Sequence, residues 1–441
     1  MKDIKSIIEQ IANEVDLAGG KMYYVGGYVR DLYCGKTPSD IDVRVIGINK
    51  KTFDEILKKF GKTYWIKARY DLVKLTGLDI DFSSPENKDG TLKTIEDLIV
   101  SVDFTMNSIF VDVVTGEIVD PYNGIEDIEK GIIRISDFKN TDNHFMAVRA
   151  ARFKAKLGFQ IEPRSMLCMQ AFSYANVNRQ RILLEFRKII SDPEVSQSEF
   201  FKEAFELGIL DKLFSPLGEL KNLEVDVNGI RINVFEHTIR ILDYLMRYKD
   251  RICDFEELYM VALTYHFRSI DLGTFSDDKF REFFGNIMAT NKMKHAVVFF
   301  QDTEQKLFDV YNNFQNMSEE ELLTVYQRYR KRLEDAGYFV ECFNIGLHEK
   351  VSEDEMMKSK ERLDLWKEKI QELREKSIKT VNIAGARRKK NYTSSRERYE
   401  SKPYTMANIG EITEWITPEQ LLYSLENVGK GRGGIRDGRN R

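Results

Sequence analysis

Near the start of the chain, five residues of types that bind phosphate and metal lie close together: Gly26, Gly27, Arg30, Asp40 and Asp42. The two glycines follow a short apolar segment, MYYV, that reads as a strand. Without a Cβ, their backbone N–H groups can approach an anion closely, and Arg30 adds a guanidinium one helical turn later. A double glycine alone usually marks a tight turn. With the arginine and the aspartates beside it, the segment instead predicts a phosphate cradle.

Asp42 lies in a second predicted strand, IDVRVIG at 41–47, and Asp40 lies directly before that strand. Residues two apart in a strand project from the same face, so Asp40 and Asp42 would repel each other unless a cation lay between them. Hard carboxylate oxygens suit Mg²⁺, which keeps substrate phosphates among its other ligands. Asp81, in the strand-like LDIDFSS, is a candidate third ligand. An aspartate pair alone is often only a solvated strand edge.

The elements that position these residues change type along the chain. Apolar residues at helical spacing predict a helix over 1–20. Five short, β-branched or aromatic segments then predict strands: 22–27, 41–47, 71–77, 78–84 and 108–114. From Asn140 to about Ser377 the pattern is helical, and its last apolar stripe (Leu363, Trp366, Ile370, Leu373) is typical of core packing. The chain is therefore predicted to have an α+β fold, with a small mixed sheet first and helices afterwards.

Composition limits the class of protein. The 441 residues suggest two to four structural units, and 67 Lys+Arg against 71 Asp+Glu give a net charge of −4, which excludes a uniformly cationic coat for nucleic acid. No apolar run approaches the ~18 residues that span a bilayer. The four cysteines are too widely spaced for a CxxC metal site, and a disulfide framework is not expected at this size. We expect a cytoplasmic protein with neither a membrane nor a disulfide-linked partner.

The motifs, taken in order, resemble the class II nucleotidyltransferases, the family of tRNA CCA-adding enzymes and bacterial poly(A) polymerases. The glycine–arginine–aspartate segment is similar to the family's GGxVRDxxxG…DxD motif. Four later segments also resemble family motifs: DFTMNS at 103–108, DPYNG at 120–124, RAARF at 149–153 and QRILLE at 180–185.

The resemblance implies a nucleotidyltransferase head at 1–138, a nucleotide-binding neck at 139–200, a degenerate HD-like body at 201–335 and a tail at 336–441, the last three all-helical. It implies transfer of a nucleotide from ATP or CTP to a tRNA or other RNA 3′ end, with pyrophosphate released and two Mg²⁺ ions held by Asp40 and Asp42.

The resemblance also implies roles for individual residues. Gly26, Gly27 and Arg30 would hold the triphosphate, and Asp103 and Asn107 would position the ribose and phosphates. Arg149 and Arg152 would border the nucleotide pocket, while Arg181 and Glu185 would buttress the helix that presents the base-reading groups.

The base-reading motif departs from the family. Where the family has EDxxR, whose Asp and Arg pair with C or A, this chain has Asp142, Asn143 and, at the Arg position, Met146. A methionine has no strong donor, so the discrimination against G and U is expected to weaken. Three hypotheses remain open: a diverged CCA-adding enzyme, an RNA-tailing or tRNA-modifying nucleotidyltransferase with altered base choice, and a non-catalytic tRNA-binding protein.

Two further features bear on function. In the HD-like segment His237 fits the first histidine, but Tyr265-His266 stands where an HD dipeptide is needed, so hydrolase activity is not expected and His237 is predicted to be a core or capping residue. Basic residues late in the chain are candidates for RNA binding, unless they are only a solvated surface or terminus: Arg387, Arg388, Lys389, Lys390, Arg396 and Arg398.

Overall fold

The computed structural model describes residues 4–38, 41–66, 72–76, 80–138, 145–174, 177–270 and 277–393. Within these ranges the side chains of Asp81, 277–278 and 379–393 are not described. By its internal contacts the chain divides into two units, Met1–Ser377 and Ile378–Arg441. Over the described residues, no helix combines the length and apolarity that crossing a bilayer requires.

The first unit begins with a mixed sheet. Its described strands are β1 (Lys21–Tyr24), β2 (Ile41–Ile46), β3 (Thr63–Ile66), β4 (Leu72–Leu75), β5 (Ile80–Ser83), β6 (Phe110–Asp112) and β7 (Ile118–Val119). They lie in the order β3-β4-β5-β2-β1-β6-β7, and β2 and β5 pair in parallel while the other neighbours pair antiparallel. The five predicted strands are confirmed, and β3 and β7 were not predicted.

The described residues up to 138 also form five α-helices: α1 (Ile4–Leu17), α2 (Gly26–Tyr33), α3 (Lys50–Lys58), α4 (Ile95–Val100) and α5 (Gly124–Lys130). The predicted N-terminal helix is confirmed as α1, which packs beside α3. Val43 and Phe82 are buried on one face of the sheet, where Phe82 meets Phe53 of α3 edge-on at 5.9 Å. Alternation along the strands therefore places Asp42, the neighbour of Val43, on the opposite face.

Helices dominate the remainder, as predicted. They are α6 (Met146–Leu157), α7 (Pro163–Gln170), α8 (Arg179–Ser191), α9 (Gln197–Glu206), α10 (Ile209–Lys212), α11 (Ser215–Glu219), α12 (Val234–Arg247), α13 (Phe255–Thr264), α14 (Asp277–Asn286), α15 (Asn291–Asn313), α16 (Glu319–Tyr329), α17 (Lys331–Gly346) and α18 (Glu353–Thr393). The apolar stripe of α18 is buried, as expected for packing: Leu363, Trp366, Ile370 and Leu373 are each at most 1% exposed.

Two short strand pairs interrupt the helices and correct the prediction that the remainder is all-helical. β8 (Ile132–Ile133) pairs in parallel with β9 (Gln160–Ile161). β10 (Glu224–Val227) and β11 (Ile230–Asn233) form an antiparallel hairpin. Its turn residues, Asn228 and Gly229, have φ values of 53° and 80°. An Asn-Gly pair between alternating apolar residues is a strong hairpin signal, so this element was predictable.

Candidate active site

The predicted carboxylates lie on neighbouring strands. Asp42 is half-buried in the middle of the sheet, and the parallel register of β2 and β5 pairs it directly with Asp81. This register holds the two backbones one strand spacing apart, about 4.8 Å. Asp40 lies outside the described residues. Among the residues whose side chains are described, no group of three or more His, Cys, Asp or Glu forms a metal cluster.

The glycine pair lies next to Asp42 and forms the start of α2, rather than the turn before a helix that the sequence indicated. Gly26 has a φ of 62°, in the left-handed region that favours glycine. A Cβ on Gly26 would stand 3.5 Å from Asp42 Oδ2, and the N–H of Val25 donates to the Asp42 carbonyl at 3.1 Å. The N-cap residue, Val25, makes no side-chain cap. The first N–H groups of α2 therefore remain available to an anion beside the carboxylate.

Arg30 is buried in α2 and ties this helix to the segment that follows α4. Its Nε and Nη2 donate to Asp31 Oδ1 at 2.8 and 2.6 Å, and its Nη1 donates to Asn107 Oδ1 at 2.8 Å. Asn107 in turn donates from Nδ2 to Asp103 Oδ1 at 3.0 Å. Three of the predicted nucleotide-binding residues are thus joined by hydrogen bonds.

Asp103 extends this set of hydrogen bonds to helix α6. Its Oδ2 accepts a hydrogen bond from Nε of Arg149 in α6, and its Oδ1 also accepts the N–H of Phe104 at 2.9 Å. Burial alone would raise the pKa of Asp103. The charge of Arg149 and the hydrogen bonds outweigh burial, so the pKa lies below its ordinary value. Asp103 is therefore held as a carboxylate.

Glu185 of α8 contacts the two arginines of α6. It lies 3.5 Å from Arg149 Nη1, accepts from Arg152 Nε at 3.3 Å and from Lys188 Nζ at 3.1 Å. Burial opposes ionisation of Glu185, but the two arginines and the lysine keep its pKa below the ordinary value. We call Asp31, Arg30, Asn107, Asp103, Arg149, Glu185 and Arg152 the arginine network.

The three guanidiniums of the arginine network surround one aromatic ring, Phe153 of α6. Their central carbons lie 4.8 Å (Arg30), 5.5 Å (Arg149) and 4.5 Å (Arg152) from the ring centroid. The pKa of Arg152 is lowered by burial and also by the charges of Arg149 and Arg30. The cations thus repel one another, which favours binding of an anion nearby. In the sequence Phe153 stands out only as part of the RAARF motif; its position four residues after Arg149, one helical turn on, was the available signal.

The segment predicted to read the base is described only in part. Asp142 and Asn143 lie outside the described residues. Met146 opens α6 and is 1% exposed within the apolar core, so its side chain offers a nucleotide neither a polar group nor accessible surface. The neighbouring Phe145 ring lies 4.5 Å below the Arg181 guanidinium of α8. Arg181 and Glu185 therefore contact the two ends of the same stretch, 145–152.

The HD-like histidines form a buried pair. Nδ1 of His237 lies 2.8 Å from Nε2 of His266, and Nε2 of His237 lies 3.0 Å from the Phe343 carbonyl. Because a carbonyl only accepts, Nε2 of His237 carries its proton and Nδ1 accepts from His266. Burial lowers the pKa of His237 to about 4. His237 is a core residue, as predicted.

The basic residues predicted to bind RNA lie at or beyond the C-terminal end of the described residues. Arg387, Arg388, Lys389 and Lys390 fall in the backbone of α18, but their side chains are not described. Arg396 and Arg398 lie outside the described residues.

The chain is similar in sequence to proteins of known function. Residues 22–134 match the family described as Poly A polymerase head domain. A CCA-adding enzyme of Leuconostoc mesenteroides is 29% identical over 47% of this chain and 54% of its own length. One of Geobacillus thermodenitrificans is 27% identical over 43% of this chain and 50% of its own length. The chain thus spans about half the length of these curated relatives, and the resemblance to class II nucleotidyltransferases is confirmed.

Solved structures extend the likeness in fold. A tRNA nucleotidyltransferase complexed with a primer tRNA and an incoming ATP analogue superposes with a TM-score of 0.58 at 16% identity, over 82% of this chain and 99% of that one. The Thermotoga maritima CCA-adding enzyme complexed with tRNA gives 0.55 at 17% identity, over 84% and 95%. This chain therefore shares with these proteins a fold in which a mixed sheet is followed by helices.

Proposed function

We propose, on the premise that residues 22–134 are a nucleotidyltransferase head, that this chain is a template-independent RNA nucleotidyltransferase that adds C, C and A to tRNA 3′ ends. The observation that carries the proposal is the position of Asp42 beside the uncapped start of α2 at Gly26. A carboxylate and a row of free N–H groups at one point suit a metal-bound triphosphate. Relatives named CCA-adding enzymes, and solved structures holding tRNA and nucleotide, support it.

In the proposed reaction, the oxygen of the RNA 3′-hydroxyl attacks the α-phosphorus of the nucleoside triphosphate. A new P–O bond forms as the bond from the α-phosphorus to its β-bridging oxygen breaks. Pyrophosphate leaves, and the hydroxyl proton passes to solvent. Little covalent chemistry falls to the protein, so its residues act by positioning and by electrostatic stabilisation.

The residues present fit Mg²⁺, because Asp42 offers hard oxygen ligands and its register partner is a second aspartate, Asp81. Asp40 and Asp42 would hold two ions, with Asp81 a further candidate ligand. Bound Mg²⁺ supplies charge neutralisation on the triphosphate and a lower pKa for the attacking hydroxyl.

The triphosphate is assigned to the start of α2 and to the arginine network. Gly26 and Gly27 offer backbone N–H groups, and the network places three arginines against three carboxylates around Phe153. Burial, together with the charges of Arg149 and Arg30, lowers the pKa of Arg152, so a phosphate nearby stabilises the set. Head (1–138) and neck (139–200) then act as one nucleotide-binding unit, since Asp103 and Arg149 join them.

One observation, the residue at position 146, favours a second function in which the enzyme selects nucleotides less strictly. Met146 replaces the family's arginine and is buried, so the donor that would read C or A is absent at this position. Loss of such a partner costs about 1–3 kcal/mol of discrimination. An RNA-tailing or tRNA-modifying nucleotidyltransferase with relaxed base choice is therefore the alternative enzyme.

The test supplies the full chain with tRNAs ending at the discriminator base, C, CC or CCA, with each nucleoside triphosphate separately and Mg²⁺, and sequences the 3′ ends. Ordered addition of C, C and A supports CCA addition, whereas addition of G or U, or tailing beyond CCA, supports the relaxed enzyme. The double variant Asp40→Ala, Asp42→Ala should bind tRNA but add nothing. If the wild type extends no RNA end yet binds tRNA, the chain is a tRNA-binding protein.

A further inference from the structure

A row of residues aligned by strand register crosses four adjacent strands of the sheet and continues beyond Asp42 and Asp81. The registers align Tyr64 of β3 with Lys74 of β4, Lys74 with Asp81 of β5, and Asp81 with Asp42 of β2. Lys74 is half-buried, and its chain neighbour Val73 is 0% exposed on the opposite face. Lys74 and Asp42 therefore share one face of the sheet.

This row extends away from the residues assigned to the triphosphate. β1, which leads into Gly26 and α2, flanks β2 on one side, whereas β5, β4 and β3 follow β2 on the other. Phosphoryl transfer sets the attacking and leaving oxygens roughly in line on opposite sides of the phosphorus. With pyrophosphate leaving on the α2 side, the attacking 3′-hydroxyl approaches from the side of β5 and β4.

The chemistry of the row matches the end of an RNA strand. At about 4.8 Å per strand, Lys74 lies about 10 Å and Tyr64 about 14 Å from Asp42, the scale of the last nucleotides before the hydroxyl. A lysine neutralises a phosphate, and an aromatic ring stacks on a base of any identity. Tyr64 is 50% exposed on the edge strand.

The neighbouring aromatic residue shows why Tyr64, and not Trp65, suits this role. Trp65 follows Tyr64 in β3 and projects from the other face. Its ring is covered by Lys50 Nζ at 4.1 Å from the centroid, and its Nε1 donates to Asp54 Oδ1 at 2.9 Å. The ring of Trp65 is thus used within the protein, whereas half of Tyr64 faces solvent.

We propose that Lys74 and Tyr64 form the subsite for the 3′-terminal nucleotides of the acceptor RNA, with Lys74 contacting a backbone phosphate and Tyr64 stacking on a base. This assignment rests on the proposed function and names two residues outside the motifs that carry the family resemblance. It predicts that the two side chains govern the affinity for RNA and not the affinity for the nucleoside triphosphate.

The test measures AMP incorporation into tRNA ending in CC, with the KM for tRNA and the KM for ATP determined separately over a range of salt concentrations. Lys74→Gln should raise the KM for tRNA and reduce the salt slope of log(kcat/KM) for tRNA by about one, the value for one phosphate contact. Tyr64→Ala should raise the KM for tRNA about fivefold or more, and Tyr64→Phe should restore it. The KM for ATP should stay unchanged in each variant.

Lys62→Gln is the matched control, because Lys62 is exposed directly before β3 but outside the row. It should leave both KM values and the salt slope unchanged. If Lys74→Gln lowers kcat while the KM for tRNA and the salt slope stay at wild-type values, Lys74 acts on the carboxylates and the subsite is overturned. Failure of the wild type to extend any RNA would instead defeat the proposed function itself.

Discussion

The Asp103 carboxylate accepts a hydrogen bond from the Arg149 guanidinium of α6, and both groups are held in their charged forms. Through Asn107 and Arg30, Asp103 is also connected to the helix that begins beside Asp42. The position of α6 relative to Asp42 is therefore set by a chain of polar contacts. A substitution of Asp103 or Arg149 should therefore change the affinity for the nucleotide.

Replacing Arg149 by lysine should raise the KM for ATP and CTP about tenfold, which corresponds to about 1.4 kcal/mol. A lysine keeps the charge but cannot bridge Asp103 and Glu185 with one planar group. Steady-state kinetics with tRNA in excess measures the effect. Arg134→Lys is the control, because Arg134 also pairs with a buried aspartate, Asp127, outside the arginine network. Equal effects of the two changes would contradict the role of the network.

Gly26→Ala should abolish most activity while lowering stability only modestly. The left-handed backbone at φ 62° costs an alanine about 1–2 kcal/mol, and the new methyl would stand 3.5 Å from Asp42 Oδ2, where the triphosphate is assigned. Gly35→Ala is a matched control: its φ is 68°, but nothing lies within 4 Å of the added Cβ. The two variants should melt at similar temperatures, and only Gly26→Ala should lose nucleotide incorporation. Similar activities of the two variants would show that Gly26 is needed only for its left-handed backbone conformation.

Asp335→Asn should stabilise the protein above about pH 6. Burial raises the pKa of Asp335 to about 6, from an ordinary value of 3.8, although its carboxylate accepts the N–H groups of Cys253 and Asp254. Between these two pH values the native state holds a proton that the unfolded state has lost, so stability falls as pH rises. An asparagine removes the charge but keeps only one of the two acceptor oxygens, so the gain stays below about 3 kcal/mol.

Urea unfolding at pH 4 and at pH 7.5 measures this difference, which should be absent at pH 4. Asp97→Asn provides a contrast, since Asp97 accepts the N–H of Thr94 at 2.9 Å in a capping box and its pKa is lowered. That variant should lose stability at the higher pH. A loss of stability in Asp335→Asn at pH 7.5 would show that the negative charge is needed.

The buried histidine pair should make the fold sensitive to acid. A second proton cannot be placed between Nδ1 of His237 and Nε2 of His266 without breaking their hydrogen bond. Burial lowers the pKa of His237 to about 4 from 6.5, so the unfolded state binds the proton first and stability falls as pH drops from 6.5 to 4. The loss is about 3 kcal/mol for His237.

His237→Gln should flatten this acid limb when unfolding is followed from pH 7 to pH 4, because an amide can donate to the Phe343 carbonyl without titrating. The exposed His348→Gln serves as the control and should follow the wild-type curve. An unchanged acid limb in His237→Gln would assign the sensitivity to other groups. The opposite slope expected from Asp335 makes the two variants separable over the same pH range.

Local pattern was sufficient for much of the fold. Short β-branched segments bounded by glycine predicted five strands, and helical spacing predicted α1 and the buried stripe of α18. Strand β3 was not predicted, because it is an edge strand whose residues alternate between half-buried and exposed without a clear apolar face. Strand β7 is only two residues long. The β10–β11 hairpin was missed although its Asn-Gly turn is a local signal.

The sequence by itself determined the prediction of a phosphate and metal site, because glycines, an arginine and alternate aspartates at that spacing have few other uses together. Only the tertiary structure decided how they combine. The register between β2 and β5 pairs Asp42 with Asp81, and it aligns Lys74 and Tyr64 beyond them. Arg30, Asn107, Asp103 and Arg149 are joined although they are distant in the chain. Such contacts depend on strand order and helix packing, which act between segments whose separation along the chain no local pattern records.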